Sequence, residues 1–347
     1  MKSQESEWLS VEIEKIIRFD TEINFKKVPG FVVGIIDGDS TYILPYGHRK
    51  DSKKSGKLTG DDIFEVGSIT KVFTAYIINK LVQEKRLFLF DKVNDYLSDE
   101  YANPRLSHLT IQSLINHQSG LPLRPEMFGA REKEWQNPYL YYTNEHLLEF
   151  YRDYIPEKDG YVYSHVNYAL LEIIIERVTE LDFDDIIKQY LLDPFKLKHT
   201  FLDFPEQKEN YICPGYDKTV SLVKPWIFSS FRASEGLKTS AFDVLSFIKS
   251  SYFSVPDSTN FDQPFDPSLN TINPGINDYL YIENGWHILP IKNFKVAVHT
   301  GRTSGHSCFL GMVENTKTAV VVFSNSWVGT GDLGLQILRM INQNWKK

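Results

Sequence analysis

The sequence predicts an α+β fold: an antiparallel β-sheet flanked by N- and C-terminal helices, with an all-helical domain inserted between the two halves of the sheet. Three observations carry this. Strand-like segments cluster near both ends of the 347-residue chain, at 30–47 and from about 280 to 325. The middle, 90–227, reads as helical segments broken by Pro and Gly loops. A helix-length run at 69–86 is apolar almost all round, which marks a helix buried in the centre of the molecule. The resulting division is a discontinuous α/β domain, 1–75 and 228–347, and a helical domain, 76–227.

Taken in order, residues 5–24 place Trp8, Leu9, Ile13, Ile16 and Ile17 on one helical face. "GFVVGII" (30–36), the turn "DGDS" and "TYILPYG" (41–47) read as a β-hairpin. "DIFEVGS" is a short strand that feeds the buried helix, whose Lys80, Lys85 and Arg86 suit the negative pole of the helix dipole. "LTIQSLINH" and "YALLEIIIERVTELDFDDIIKQYLL" are the clearest helical segments of the middle region. "SEGLKTSAFDVLSFIKSSY" (234–252) reads as one further helix. The Pro-, Asp- and Asn-rich segment 253–280 is long for an ordered loop and reads equally as a flap or an insertion. "YIENGWHIL", "FKVAVHTG", "HSCFLGMVE" and "TAVVVFSNS" are strands, and the amphipathic "LGLQILRMINQNW" is a closing helix.

Composition narrows the function classes. A net charge of −7 without a basic stripe argues against a nucleic-acid partner. The densest basic run, "HRKDSKK" at 48–54, falls where a loop is expected. No stretch approaches the ~20 apolar residues of a membrane span. The N-terminus has no apolar signal-peptide core, so the expected location is cytoplasmic; a chain already trimmed of an export signal would read the same, leaving the periplasm or cell envelope as the alternative. Cys213 and Cys308 are too few for a disulfide framework. The nine His residues show no metal-ligand spacing, so neither a metal nor another cofactor is expected.

Three short segments carry chemistry. Ser68-Ile69-Thr70-Lys71 puts a hydroxyl and an amine on one face of a helix start, where free N–H groups and the positive pole favour developing negative charge. Lys71 can then take the proton of Ser68. Ser221 and Ser246 also begin Ser-x-x-Lys matches. The first runs into Pro225, and the second lies inside a helix without free amides, so Ser68 is the candidate nucleophile. Tyr163 lies in an aromatic stretch with Trp135, Tyr139, Tyr141, Tyr142, Tyr151, Tyr154 and Tyr161, most of which read as packing. A phenol titrates near ~10, so Tyr163 needs a cationic Lys71 beside it to serve as a base. In the third segment, His299-Thr300-Gly301, Thr300 can donate to a carboxylate or carbonyl and Gly301 would let a substrate backbone approach as an added strand. The backbone N–H groups of Ser68 and Arg302 would form an oxyanion hole.

The ordered set resembles the penicillin-recognising serine hydrolases: class C β-lactamases, D,D-carboxypeptidases and family VIII-type esterases. "VPGFVVGIIDGDSTYILPYG", "FEVGSITKVFTA", "LTIQSLINHQSGLP", "LLDPFKLKHTFLD", "ASEGLKTSAFDVLSF", "GWHI", "HTGRTSGHSCFLG" and "AVVVFSN" follow one another in the family's order over nearly the whole chain. The resemblance implies a β-lactamase/transpeptidase-like fold with the site where the two domains meet. It implies Ser68 as the acylated nucleophile, Lys71 and Tyr163 as the proton-transfer pair, and His165, His299, Thr300, Gly301 and Arg302 as substrate-binding residues. Two positions depart from the family pattern. His165 stands where Asn is usual, and His299 where β-lactamases of this type usually carry Lys. Both weaken a β-lactamase reading. The expected reaction is acyl transfer through Ser68, on esters or on peptides or amides ending in a D-amino acid; His299, Thr300 and Arg302 form a polar corner suited to a carboxylate and lean towards the D,D-peptidase. The alternatives are a β-lactamase and a non-catalytic penicillin-binding sensor.

Overall fold

The computed structural model describes residues 2–49, 56–126, 128, 137–157, 160–204, 210–253, 281–291 and 294–343. Trp135 and the segment 254–280, read above as a flap or an insertion, lie outside the described residues, as does most of the basic run at 48–54.

The chain opens with α1 (Lys2–Lys15), which continues as a wider turn over Ile16–Asp20. Leu9, Ile13, Ile16 and Ile17 are buried, while Trp8, placed on the same face from the sequence, is 49% exposed. The hairpin is β1 (Gly30–Asp37) and β2 (Ser40–Gly47). A short strand, β3 (Ile63–Glu65), leads into α2 (Thr70–Gln83). The middle of the chain supplies α3 (Ile111–Ile115), α4 (Asn144–Asp153), α5 (His165–Thr179), α6 (Phe183–Ile187) and the short α7 (Asp193–Phe195). A two-stranded ribbon, β4 (Gly215–Tyr216) and β5 (Leu222–Val223), precedes α8 (Arg232–Glu235), β6 (Lys238–Ser240) and α9 (Ala241–Ile248). The chain returns to the main sheet as β7 (Tyr281–Glu283), β8 (Trp286–Ile291), β9 (Phe294–Arg302), β10 (Ser307–Val313) and β11 (Thr318–Ser324), then closes with α10 (Leu333–Asn342).

The main sheet has the order β2-β1-β11-β10-β9-β8-β7, with every neighbouring pair antiparallel. The first two strands therefore join the last five, and the helical middle of the chain is a long excursion from one sheet. Alternation along β1 explains its continuous apolar run. Phe31, Val33 and Ile35 pack with Leu9, Ile13, Ile337 and Ile341 under α1 and α10, whereas Val32 and Ile36 join Phe247 of α9 and Phe73 of α2 on the other face. A strand covered on both faces has no polar side to show.

The segment 234–252 departs from its sequence reading as one helix. Glu235 ends α8, and Lys238–Ser240 is extended, paired with β3 on one side. Lys238 also exchanges two backbone hydrogen bonds with Phe201, of 2.8 Å each. These tertiary pairings outweigh the helical pattern. Ser240 then starts α9 by accepting from the Asp243 N–H at 3.1 Å.

Two glycines fix how β9 meets the turn before α2. Gly67 has φ +52°, and a Cβ there would lie 2.8 Å from the Arg302 nitrogen. A Cβ on Gly301 would lie 1.8 Å from the Val66 carbonyl oxygen and 3.0 Å from the Ser68 nitrogen. Backbone on both sides leaves nothing to yield. Gly301→Ala is therefore expected to destabilise the protein by about 1–3 kcal/mol and to cut turnover at least tenfold, read from thermal melts and ester hydrolysis. Normal activity at normal stability would show that the contact is not needed.

Candidate active site

The turn Gly67–Ile69 lifts Ser68 to the start of α2. Thr70 Oγ1 locks it, donating to the Gly67 carbonyl at 2.7 Å and accepting from the Leu237 N–H at 3.1 Å. One helical turn on, Lys71 is fully buried. Its Nζ donates to Ser68 Oγ at 3.2 Å and to the Ser234 carbonyl at 3.0 Å, and stands 3.0 Å from His165 Nδ1. Burial pulls its pKa from 10.5 down to about 7; the nearby Glu235 carboxylate works against that fall. Lys71 is thus a base at neutral pH.

Tyr163 precedes α5, whose first turn is capped by Ser164 accepting from the Asn167 N–H at 3.2 Å. Lys71 Nζ lies 5.4 Å from the Tyr163 ring centre. Burial pushes the phenol pKa up, and a hydrogen bond with Ser68 only partly opposes this. Tyr163 is therefore a protonated phenol. The sequence-based picture of a phenolate held by a cationic Lys71 is corrected, because burial moves the two groups in opposite directions. Tyr163→Phe is expected to keep the fold and lower turnover by ~10²-fold, the lower end for a lost proton-transfer group. Unchanged kinetics would remove Tyr163 from the chemistry.

The other residues singled out from the sequence fall into place around this pair. His165 is buried, facing Lys71, Ser234 and Glu235, so its ring belongs to the proton network as much as to the cavity wall. Asn167, two residues on, is wholly buried, accepting from Ser119 Oγ at 2.6 Å and donating to the Leu114 carbonyl at 3.0 Å. His299 is buried with Nδ1 2.9 Å from the Thr300 carbonyl. Burial holds its pKa well below the ordinary value, so the ring is neutral, with Nδ1–H donating to that carbonyl. Nε2 then carries a lone pair, and it has no hydrogen-bond partner among the described residues. His287 opposes Val298, and 299–302 run past that point without a partner on the β8 side among the described residues. Thr300 and Arg302 are exposed at this free edge. The Arg302 guanidinium packs 4.6 Å from the centre of the Trp327 ring, and Lys218 Nζ approaches the same ring at 4.0 Å. Gly301 lines the cavity, but its missing side chain serves first the protein's own turn at Val66 and Ser68, not a substrate strand.

Sequence reasoning missed four groups. Glu235 Oε1 accepts from Ser68 Oγ at 3.2 Å and lies 3.4 Å from His165 Nε2; Oε2 faces Arg124 at 3.5 Å. Nothing in "SEGL" marks that carboxylate. His117 packs 4.4 Å from the Tyr163 ring, and His287 stacks on it at 5.9 Å. Glu65 is buried behind the cavity, where it accepts from the Trp226 N–H at 2.7 Å and from Thr303 Oγ1 at 3.2 Å, tying two wall segments together. The cavity itself measures about 800 Å³, and Ser68, Tyr163, His165, Glu235, His299 and Arg302 all line it. Among the described residues no group of His, Cys, Asp or Glu is placed to hold a metal ion, and no helix is long and apolar enough to cross a membrane.

A buried Ser-Lys pair at a helix start, facing a Tyr and the free end of an antiparallel strand, invites comparison with known hydrolases. The β-lactamase family model matches residues 19–342. The chain belongs to the β-lactamase family. It is 22% identical over 336 residues to a β-lactamase of Providencia stuartii, covering 87% of this chain and 84% of that one. Protein flp of Staphylococcus aureus (strain MW2) is 26% identical over 90% of this chain, which spans only 62% of that longer relative. Among solved structures, a class C β-lactamase from Rhodobacter sphaeroides superposes with a TM-score of 0.80 at 19% identity, over 98% of this chain and 99% of that one. A β-lactamase/D-alanine carboxypeptidase from Pseudomonas syringae gives 0.76 at 16% identity, over 97% and 98%. The fold is β-lactamase/transpeptidase-like, and the chain is a β-lactamase-family serine hydrolase.

Proposed function

We propose that this β-lactamase-family hydrolase is a carboxylesterase that works through an acyl-enzyme on Ser68. The reading rests on one observation: around Ser68 the cavity sets a base that loses its charge near pH 7 beside acceptors, while the exposed Arg302 guanidinium lies against Trp327. Lys71 loses its charge near pH 7, Arg124 is paired with Glu235, and His299 is neutral with an acceptor nitrogen. An ester with a neutral acyl group meets no unpaired charge there, whereas a carboxylate beside His299 would face a lone pair.

In acylation the Lys71 amine takes the Ser68 proton as Oγ bonds to the acyl carbon. The carbonyl electrons move onto oxygen, where the Ser68 and Arg302 N–H groups receive the charge. The departing alkoxide takes the Tyr163 proton, and Lys71 ammonium returns one to Tyr163. An alkoxide needs less protonation to leave than an amide nitrogen, which suits a phenol whose pKa burial has raised.

A second reading has its own support. Arg302 and Lys218 on Trp327, beside the free edge at 299–302, suit a peptide that adds a strand and ends in a carboxylate. This favours a peptide ending in a D-amino acid, in line with the similarity to a β-lactamase/D-alanine carboxypeptidase from Pseudomonas syringae. Intact-protein mass spectrometry over time with p-nitrophenyl butyrate, a D-alanyl-D-alanine peptide and benzylpenicillin separates the readings. Fast ester turnover with slow peptide cleavage and little penicillin adduct supports the esterase. Peptide cleavage, or rapid penicillin hydrolysis, at a comparable or higher rate overturns it in favour of the peptidase or the β-lactamase. A persistent adduct without turnover makes the protein a sensor.

A further inference from the structure

Lys71 and Tyr163 account for the entry of an acyl group, but the site holds a further proton acceptor against the nucleophile. Glu235 Oε1 is 3.2 Å from Ser68 Oγ, so the oxygen that becomes the ester oxygen of the acyl-enzyme lies against a carboxylate. Two side chains, His165 and Arg124, face that carboxylate. With Lys71 donating to His165 Nδ1 at 3.0 Å, the neutral imidazole carries its own proton on Nε2, which faces Glu235 Oε1 at 3.4 Å. Arg124 opposes the second oxygen, which accepts no hydrogen bond from the described residues. The side chain is 3% exposed but lines the cavity.

We propose that Glu235 is the general base of deacylation, so that entry and release of the acyl group use different bases around one serine. The inference rests on the reading of Ser68 as the acylated nucleophile. In the step, Glu235 takes a proton from a water molecule as the water oxygen bonds to the acyl carbon and the carbonyl electron pair moves onto oxygen. The tetrahedral species then collapses, the C–Oγ bond breaks, and Ser68 Oγ takes back the proton held by Glu235. Ester and water become acid and free serine, with no proton left over. Glu235 also faces Lys71 electrostatically and works against the fall of its pKa, so one substitution marks both steps differently.

The test is stopped-flow and quenched-flow hydrolysis of p-nitrophenyl butyrate, with intact-mass readout, by the wild-type protein, Glu235→Gln and Ser68→Ala. Glu235→Gln is expected to keep the burst of p-nitrophenol within about threefold, to lower the steady-state rate ~10²-fold and to accumulate the butyryl adduct. The midpoint of its acylation pH profile is expected below that of the wild type. Equal losses in burst and steady state, or a steady state as fast as the wild type, overturn the proposal. Should Glu235→Gln fail to fold, Glu235→Asp, which keeps the charge opposite Arg124 but withdraws it from Ser68, is read by the same split. A burst that survives in Ser68→Ala instead defeats the serine-hydrolase reading and leaves the two failures distinct.

Discussion

Replacing Ser68 by Ala removes covalent labelling by a fluorophosphonate and lowers ester turnover by roughly 10⁴- to 10⁶-fold, the range found when a nucleophile is deleted from an activated set. The expectation rests on how many groups converge on one oxygen. Lys71 donates to Ser68 Oγ at 3.2 Å, Glu235 accepts from it at the same distance, and Tyr163 shares a hydrogen bond with it. The turn that holds the serine is fixed by Gly67, Thr70 and the close approach of Gly301, none of which changes in the variant. The fold should therefore survive. Labelling that persists in Ser68→Ala, measured by intact mass, would move the nucleophile to another residue.

The second large effect belongs to Lys71. The useful form of this residue is the neutral amine, which exists above its pKa. With that pKa near 7, acylation is expected to rise tenfold per pH unit below about 6, bend near 7 and level off above about 8. Lys71→Met is expected to lower turnover at least ~10³-fold. The same group bears on stability with a definite sign. Folding lowers the lysine pKa from 10.5 to about 7, so between those values the unfolded chain binds the extra proton. The Lys71 contribution to stability rises with pH through that window, and at pH 7 the buried amine is a net cost. Lys71→Met should accordingly raise the melting temperature at pH 7 while abolishing turnover, as expected where a site keeps a strained group for its chemistry. A pH–rate profile flat from 5 to 9, or a variant that melts earlier without losing activity, would count against Lys71 as the base.

The comparison of sequence with structure turns on range. Readings built on local period held where both faces of an element had a fixed fate. The hairpin of β1 and β2, the apolar α2 and the amphipathic α10 all sit as their patterns indicate. The reading failed at Lys238–Ser240, where pairing to β3 and Phe201 across long stretches of chain overrode a helical pattern. It failed again in the charge states. Lys71 was recognisable by its spacing from Ser68 and Tyr163 through the family resemblance, but only burial decides that the amine is the base and the phenol stays protonated.

By itself the sequence determined the α+β architecture and singled out Ser68 among three Ser-x-x-Lys matches by its place at a helix start, while Tyr163 and the strand at His299 joined it through the family resemblance. The architecture and the helix start rest on helical and strand periods, which are local properties. Tertiary structure alone decided that Glu235, 167 residues from Ser68, lies in hydrogen-bond contact with it, that His165 bridges Glu235 and Lys71, and that His299 presents a lone pair instead of a charge. Such facts depend on which groups are desolvated together, and desolvation is a property of the folded neighbourhood that no single segment encodes.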